Sequence, residues 1–108
     1  MSKMEYSNKY LESFVDGLRS PNYEISGKEL ASSDFLTEIV QLTKVIQSKK
    51  GRIFFFGNGA SASFANHMAL DWSKNGGVLA LSLSDSALLT ALANDYSYED
   101  AFREFAKI

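Results

Sequence analysis

The sequence predicts an α/β domain with a parallel sheet that lies between two layers of helices. Two short, nearly continuous apolar runs, Ile53–Phe56 and Val78–Leu83, are typical of strands buried on both faces. Residues 60–74 have helical spacing and lie between the two runs. Strand, helix and strand in this order form a βαβ unit, whose crossover is expected to be right-handed.

Composition limits the kinds of ligand and partner. The 108 residues can form one ordinary domain, and 45% of them are hydrophobic, enough for a core. Eleven basic and thirteen acidic residues give a net charge of -2, so no basic field attracts nucleic acid or an anionic membrane. With no cysteine, the chain cannot form a disulfide, a zinc ribbon or a thiol nucleophile.

The amino terminus, MSKMEYSNKY, lacks the apolar segment of a signal peptide. Every apolar run is far shorter than the ~20 residues that cross a bilayer. We therefore expect a cytoplasmic protein that does not span a membrane.

The first element is an amphipathic helix over residues 4–19, which ends before Ser20-Pro21-Asn22. Its apolar stripe has four-residue spacing and consists of Tyr6, Tyr10, Phe14 and Leu18, flanked by Leu11 and Val15. Such a stripe must be covered by the domain or by a partner subunit. Further helices are expected from Ser32, Ser33 or Asp34 to about Lys50, and over 86–93 and 97–107.

The loop Gly57-Asn58-Gly59-Ala60-Ser61-Ala62-Ser63 joins the first strand to its helix. Glycines allow a sharp turn, and the N–H groups at a helix start together with the hydroxyls of Ser61 and Ser63 suit a phosphate. The alternative is a tight turn with serine caps and no ligand. The loop also matches G-x-G-x-x-G/A, with Asp85 after the next strand, so a dinucleotide-binding oxidoreductase is a further alternative.

Two stripes run side by side along the helix that follows the loop. Phe64, Met68 and Trp72 are expected to pack in the core, with Ala65 and Ala69 beside them. Ser63, His67 and Asp71 form the polar stripe. His67 and Asp71, one turn apart, could serve as an acid/base pair, as half of a metal site, or only as a solvated pair.

Three elements of the sequence resemble one family: the GNG-x-S loop, the histidine six residues after that serine, and the segment AND-Y-x-Y-E-D-x-F. Residues 51–72 (GRIFFFGNGASASFANHMALDW) and 79–106 (LALSLSDSALLTALANDYSYEDAFREFA) are similar to the amino-terminal half of phosphoheptose isomerases, which have sugar-isomerase (SIS) domains. The resemblance begins near residue 30. It implies that residues 31–108 are the amino-terminal half of a SIS domain with a Rossmann-like fold, and that residues 1–30 are a helical segment of the kind through which the family partly forms its tetramers.

The resemblance also implies a site for a phosphorylated sugar and no nucleotide. Asn58, Gly59 and Ser61 would bind the sugar phosphate, with Asn94 and Asp95 at the mouth of the pocket. His67, with Asp71 beside it, would bind zinc in members that take the metal. The family's catalytic glutamate, which moves a proton between the first two sugar carbons through an enediol, falls at Asp71.

The sequence departs from the family in several places. Asp71 is one methylene shorter than glutamate, Ala60 stands where glycine is usual, and Leu70 replaces a frequent acidic residue. The family's second serine-rich loop and late histidine do not occur before Ile108, so we expect an incomplete domain that is inactive alone. It is expected to associate into a homo-oligomer, or into a complex with a chain that carries the second half. The shorter Asp71 mildly favours another alternative, a non-catalytic SIS module that acts through protein contacts.

Overall fold

The computed structural model describes residues 1–108 and shows an α/β protein with five helices and two small sheets. The elements, in chain order, are α1 Lys3–Arg19, β1 Tyr23–Ile25, β2 Lys28–Leu30, α2 Ser32–Ser48, β3 Arg52–Phe55, α3 Ala60–Lys74, β4 Leu79–Ser82, α4 Ser86–Asp95 and α5 Ala101–Ala106. The predicted α/β class is confirmed. The chain forms two compact units, Met1–Val40 and Gln41–Ile108. None of its helices has the length and apolar character that crossing a membrane requires.

Helix α1 forms over nearly the predicted range. Ser2 caps it by accepting a hydrogen bond from the Glu5 N–H at 3.1 Å, which uses one of the free donors of the first turn. No residue of α1 is buried, and the side chains of its apolar stripe are 58–67% exposed at Tyr6, Tyr10, Phe14 and Leu18. The expected stripe is therefore present and faces solvent in this chain.

A β-hairpin that was not predicted from the sequence follows α1. Strands β1 and β2 are antiparallel, with Tyr23 opposite Leu30. Both turn residues, Ser26 and Gly27, have positive φ angles of 53° and 77°, as a two-residue type I′ turn requires. The Tyr23 ring packs on Phe35 of α2 with centroids 5.1 Å apart. Strands of three residues are too short to show the period of two on which prediction depends.

The second unit contains the predicted βαβ unit. Strands β3 and β4 are parallel, with Ile53 opposite Ala80 and Phe54 opposite Leu81, and α3 connects them. Within this unit, the Gln47 amide at the carboxyl end of α2 donates to the Gly77 carbonyl at 2.8 Å. Beside β4, the Ser73 hydroxyl donates to the Ala80 carbonyl at 3.1 Å and accepts from the Ala80 N–H at 3.0 Å. That hydroxyl supplies both hydrogen bonds which a neighbouring strand would otherwise make at Ala80.

Side chains from β3 and the residue after it contact helices on both faces of the sheet. The Phe55 ring packs on Trp72 of α3, at a centroid distance of 5.7 Å. Phe56 stacks on Phe102 of α5 at 4.8 Å, and Phe54 meets the edge of Phe105 at 5.9 Å. Because successive strand residues point to opposite faces, α3 and α5 cover opposite sides. These aromatic side chains are only partly buried. The strand therefore has helices on both faces, as expected, but it is less buried than the sequence predicts.

The buried face of α3 differs from the predicted one. Ala65 and Ala69 are 7% exposed and belong to the core with Val78, Ala80, Leu83 and Ala101. Phe64, expected in the core, is 71% exposed. The small alanines face the sheet and let the helix lie close to it, while Trp72 extends the same face one turn further. The predicted Phe64–Met68–Trp72 core stripe is therefore wrong at Phe64.

Candidate functional site

The loop between β3 and α3 depends on glycine at two positions. A Cβ atom at Gly57 would lie 2.4 Å from both the carbonyl carbon and the carbonyl oxygen of Ser61, too close for any side chain. Gly59, the N-cap of α3, has φ 58° and ψ -127°. These angles, those of the first central residue of a type II′ turn, favour glycine strongly. The two glycines thus bring the first turn of α3 close against the end of the strand.

Some amide groups of the loop are used within the turn itself. The Ser61 N–H donates to the Asn58 carbonyl at 3.1 Å, and the Ala62 N–H donates to the Gly59 carbonyl at 3.0 Å. The N–H groups of Gly59 and Ala60 donate to no carbonyl of the chain. The side chains of Ser61 and Ser63 are exposed. An anion would therefore meet the Gly59 and Ala60 amides and the two serine hydroxyls, a narrower donor set than the whole loop.

A tyrosine that the sequence analysis did not assign to the site contacts this loop. The Tyr98 hydroxyl donates to Asn58 Oδ1 at 2.5 Å across forty residues of sequence. This bond brings the segment after α4 against the glycine loop. Asn94 and Asp95 lie at the carboxyl end of α4, both exposed, and the Asn94 amide is 3.5 Å from Asp95 Oδ1. Tyr98 lies inside the AND-Y-x-Y-E-D segment, which was the available sequence signal.

His67 and Asp71 lie together on α3, as their spacing predicts. His67 Nε2 is 3.3 Å from Asp71 Oδ2, and the two side chains are 66% and 39% exposed. His67 and Ser63 line a shallow depression of about 430 Å³ with Phe64 and Met68. The pair is accessible to a ligand, and an exposed carboxylate beside an imidazole can accept or deliver a proton.

Asp85 has a structural partner. Its carboxylate accepts from the Leu88 N–H at 2.9 Å and caps α4, the most common use of an aspartate in this position. The carboxylate that the dinucleotide fingerprint would assign to a ribose therefore already serves the helix.

His67 and Asp71 are the side chains of this chain that could contribute to a zinc site. His67 and Asp71 provide two ligands, whereas a zinc ion normally takes three or four protein groups. No group of three or more histidine, cysteine, aspartate or glutamate side chains is placed so that it could hold a metal ion. Tight binding of a zinc ion would need further ligands from outside these residues.

We expect this chain to bind zinc weakly, with a dissociation constant in the micromolar range or above, because two ligands leave the coordination of the ion incomplete. Calorimetric titration of the chain with zinc, compared with His67→Ala, measures this. Nanomolar binding by the wild-type chain that His67→Ala abolishes would contradict the expectation.

The fold and the loop together define an α/β protein in which a glycine loop joins a parallel strand to the helix that follows it. Similarity to curated proteins indicates the class of protein more specifically than the fold does. Phosphoheptose isomerase of Helicobacter pylori (strain P12) is 40% identical over 75 residues, which are 64% of this chain and 39% of the relative. That of Thermodesulfovibrio yellowstonii is 35% identical over 78 residues, 67% of this chain and 39% of the relative.

Phosphoheptose isomerase of Paramagnetospirillum magneticum is 48% identical over 58 residues, 48% of this chain and 30% of the relative. No protein-family model and no solved structure matches. The resemblance to phosphoheptose isomerases is confirmed, and the chain is consistent with a partial phosphoheptose isomerase. The matched residues span about two fifths of the length of the first two relatives.

Proposed function

We propose that this chain binds a phosphorylated sugar at the loop over residues 57–63, as part of a phosphosugar isomerase. The observation that carries the proposal is the close approach of the loop at Gly57, which leaves the Gly59 and Ala60 amides and the serine hydroxyls available at the start of α3. The names of the curated relatives support a phosphosugar as the ligand. The net charge of -2 gives the chain no overall basic field, so the proposed site relies on backbone and hydroxyl donors.

The proposed reaction is the aldose–ketose isomerisation of sedoheptulose 7-phosphate to a heptose phosphate. Asp71 would remove and return the proton between the first two sugar carbons, with His67 beside it at 3.3 Å. The isomerisation also takes a proton from the hydroxyl oxygen of one carbon and delivers one to the carbonyl oxygen of the other, and this transfer needs a second acid/base group. Since His67 is the single histidine of the sequence, a second histidine would have to come from outside these residues.

The proposal extends to assembly and location. We assign residues 1–30 to an oligomerisation segment and residues 31–108 to the amino-terminal half of a SIS domain with a Rossmann-like sheet. The exposed stripe of α1 supports a homo-oligomer, because so many apolar side chains on one helix face are normally covered. The resemblance to the family supports a tetramer, and we propose the cytoplasm as its location.

Ser61→Ala is expected to weaken phosphate binding about tenfold or more, because it removes a hydroxyl donor to a charged ligand. The measurement is a calorimetric titration of the chain with sedoheptulose 7-phosphate. Ser48→Ala is the matched control, since its hydroxyl bonds the Val45 carbonyl at the end of α2. Equal affinity of Ser61→Ala and the wild type would show that the anion site is wrongly placed.

A further inference from the structure

The hydrogen bond between Tyr98 and Asn58 links two segments that are distant in sequence. At 2.5 Å it is among the shortest polar contacts between side chains of the chain, and it is the partner found for the Tyr98 hydroxyl. Tyr98 is 55% exposed, so its hydroxyl could have bonded water instead. Such a bond is favoured over bonds to water when its two partners are held in place by other contacts.

Tyr98 is held by the turn that leads into α5. The Ala101 N–H donates to the Tyr98 carbonyl at 3.3 Å, and the Asp100 N–H donates to the Ser97 hydroxyl at 3.1 Å. Ala101 is fully buried at the start of α5. Asn58 is held in turn by the Ser61 N–H, which donates to its carbonyl. Both ends of the bond are therefore attached to ordered backbone.

The bond places the oxygen of the Asn58 amide against Tyr98, and its length of 2.5 Å is typical of an O–H···O pair and short for an N–H···O pair. An asparagine side chain carries an acceptor oxygen and a donor NH2 group. The hydroxyl of Tyr98 occupies the oxygen, so the NH2 group remains as the free end. An anion needs donors, and an amide that rotated freely would present its oxygen to the phosphate part of the time and repel it.

We propose that Tyr98 is a positioning residue for the anion-binding loop, and that its hydroxyl orients Asn58 so that the amide NH2 group donates to the phosphate of the substrate. The proposal rests on the proposed function, since it requires that the loop binds phosphate. It adds to that function a residue forty positions away which does not itself contact the ligand.

The test is an NMR experiment in which the isotope-labelled full chain is titrated with inorganic phosphate. In the wild type, the side-chain NH2 resonances of Asn58 should shift together with the Gly59 and Ala60 amides. Tyr98→Phe keeps the ring and removes the hydroxyl, so phosphate affinity should fall about two- to tenfold. Tyr96→Phe is the matched control, because Tyr96 is 61% exposed and its hydroxyl bonds no group of the chain; its affinity should stay within twofold of the wild type.

Asn58→Asp separates orientation from structure. The carboxylate still accepts from Tyr98 but has no NH2 group and adds a negative charge, so phosphate binding should be lost while the thermal unfolding midpoint stays near that of the wild type. Wild-type affinity in Tyr98→Phe or in Asn58→Asp would overturn the positioning role and leave the proposed function standing. A wild-type chain that binds no phosphate would overturn the proposed function, and the role of Tyr98 with it.

Discussion

Gly57→Ala is expected to destabilise the second unit by about 1–3 kcal/mol, the usual cost of forcing an extra carbon into a packed site, and to abolish phosphate binding. The added Cβ would lie 2.4 Å from the Ser61 carbonyl carbon and oxygen. These are backbone atoms of the first turn of α3, so they cannot move aside as a flexible side chain would. Relief requires the loop to open, which removes the donor geometry at Gly59 and Ala60. Urea unfolding and a phosphate titration of the same variant measure both effects.

Gly17→Ala is a control whose expected effect on the free energy of unfolding has the opposite sign. Gly17 lies within α1, and a Cβ atom there would meet nothing within 4 Å. Alanine should stabilise that helix by roughly 0.5–1 kcal/mol, because it has a smaller entropy cost in a helix than glycine. Phosphate affinity should be unchanged. If Gly57→Ala unfolds at the same urea concentration as the wild type and binds phosphate equally well, the close approach at this loop is not essential to the site.

The double variant Tyr10→Asp, Phe14→Asp is expected to convert the proposed oligomer to a monomer. Burial of one large apolar side chain contributes about 1.5–3 kcal/mol, so the loss of two weakens association by roughly 10²-fold or more. Both side chains lie in the exposed stripe of α1, where the substitutions disturb no core of this chain. Light scattering across a range of protein concentrations measures the change in mass.

Lys9→Asp is the matched control for charge. Two new aspartates change the net charge by -2, and the single replacement of a lysine by aspartate changes it by the same amount. Lys9 lies off the apolar stripe and pairs with Glu5 at 3.2 Å, an exposed pair that contributes little. The control should keep the mass of the wild type. A wild-type chain that is monomeric at high concentration would refute the oligomer, and with it the role proposed for residues 1–30.

The elements with long, regular patterns were predictable from the residues. Helix α1 follows from apolar residues every four positions, and the βαβ unit follows from two apolar runs on either side of a helical segment. Gly57 and Gly59 were expected to allow a sharp turn, and the structure shows that a Cβ atom would clash at Gly57 and that the backbone angles at Gly59 strongly favour glycine. In each case the information is local, because a helix, a strand or a tight turn is set by residues a few positions apart.

Other features depend on residues that are distant in the chain. On α3, Phe64 and Met68 have the same four-residue spacing as Ala65 and Ala69. The alanines are the ones that pack on the sheet, because small side chains let the helix lie close to it, and Phe64 is exposed to solvent. The bond from Tyr98 to Asn58 spans forty residues, and no spacing rule connects them. The placement of α5 opposite α3 depends on the rings of Phe54 and Phe56 meeting Phe102 and Phe105. Such contacts form only when separate elements pack together, because local periodicity indicates that a face is apolar but not which surface will cover it.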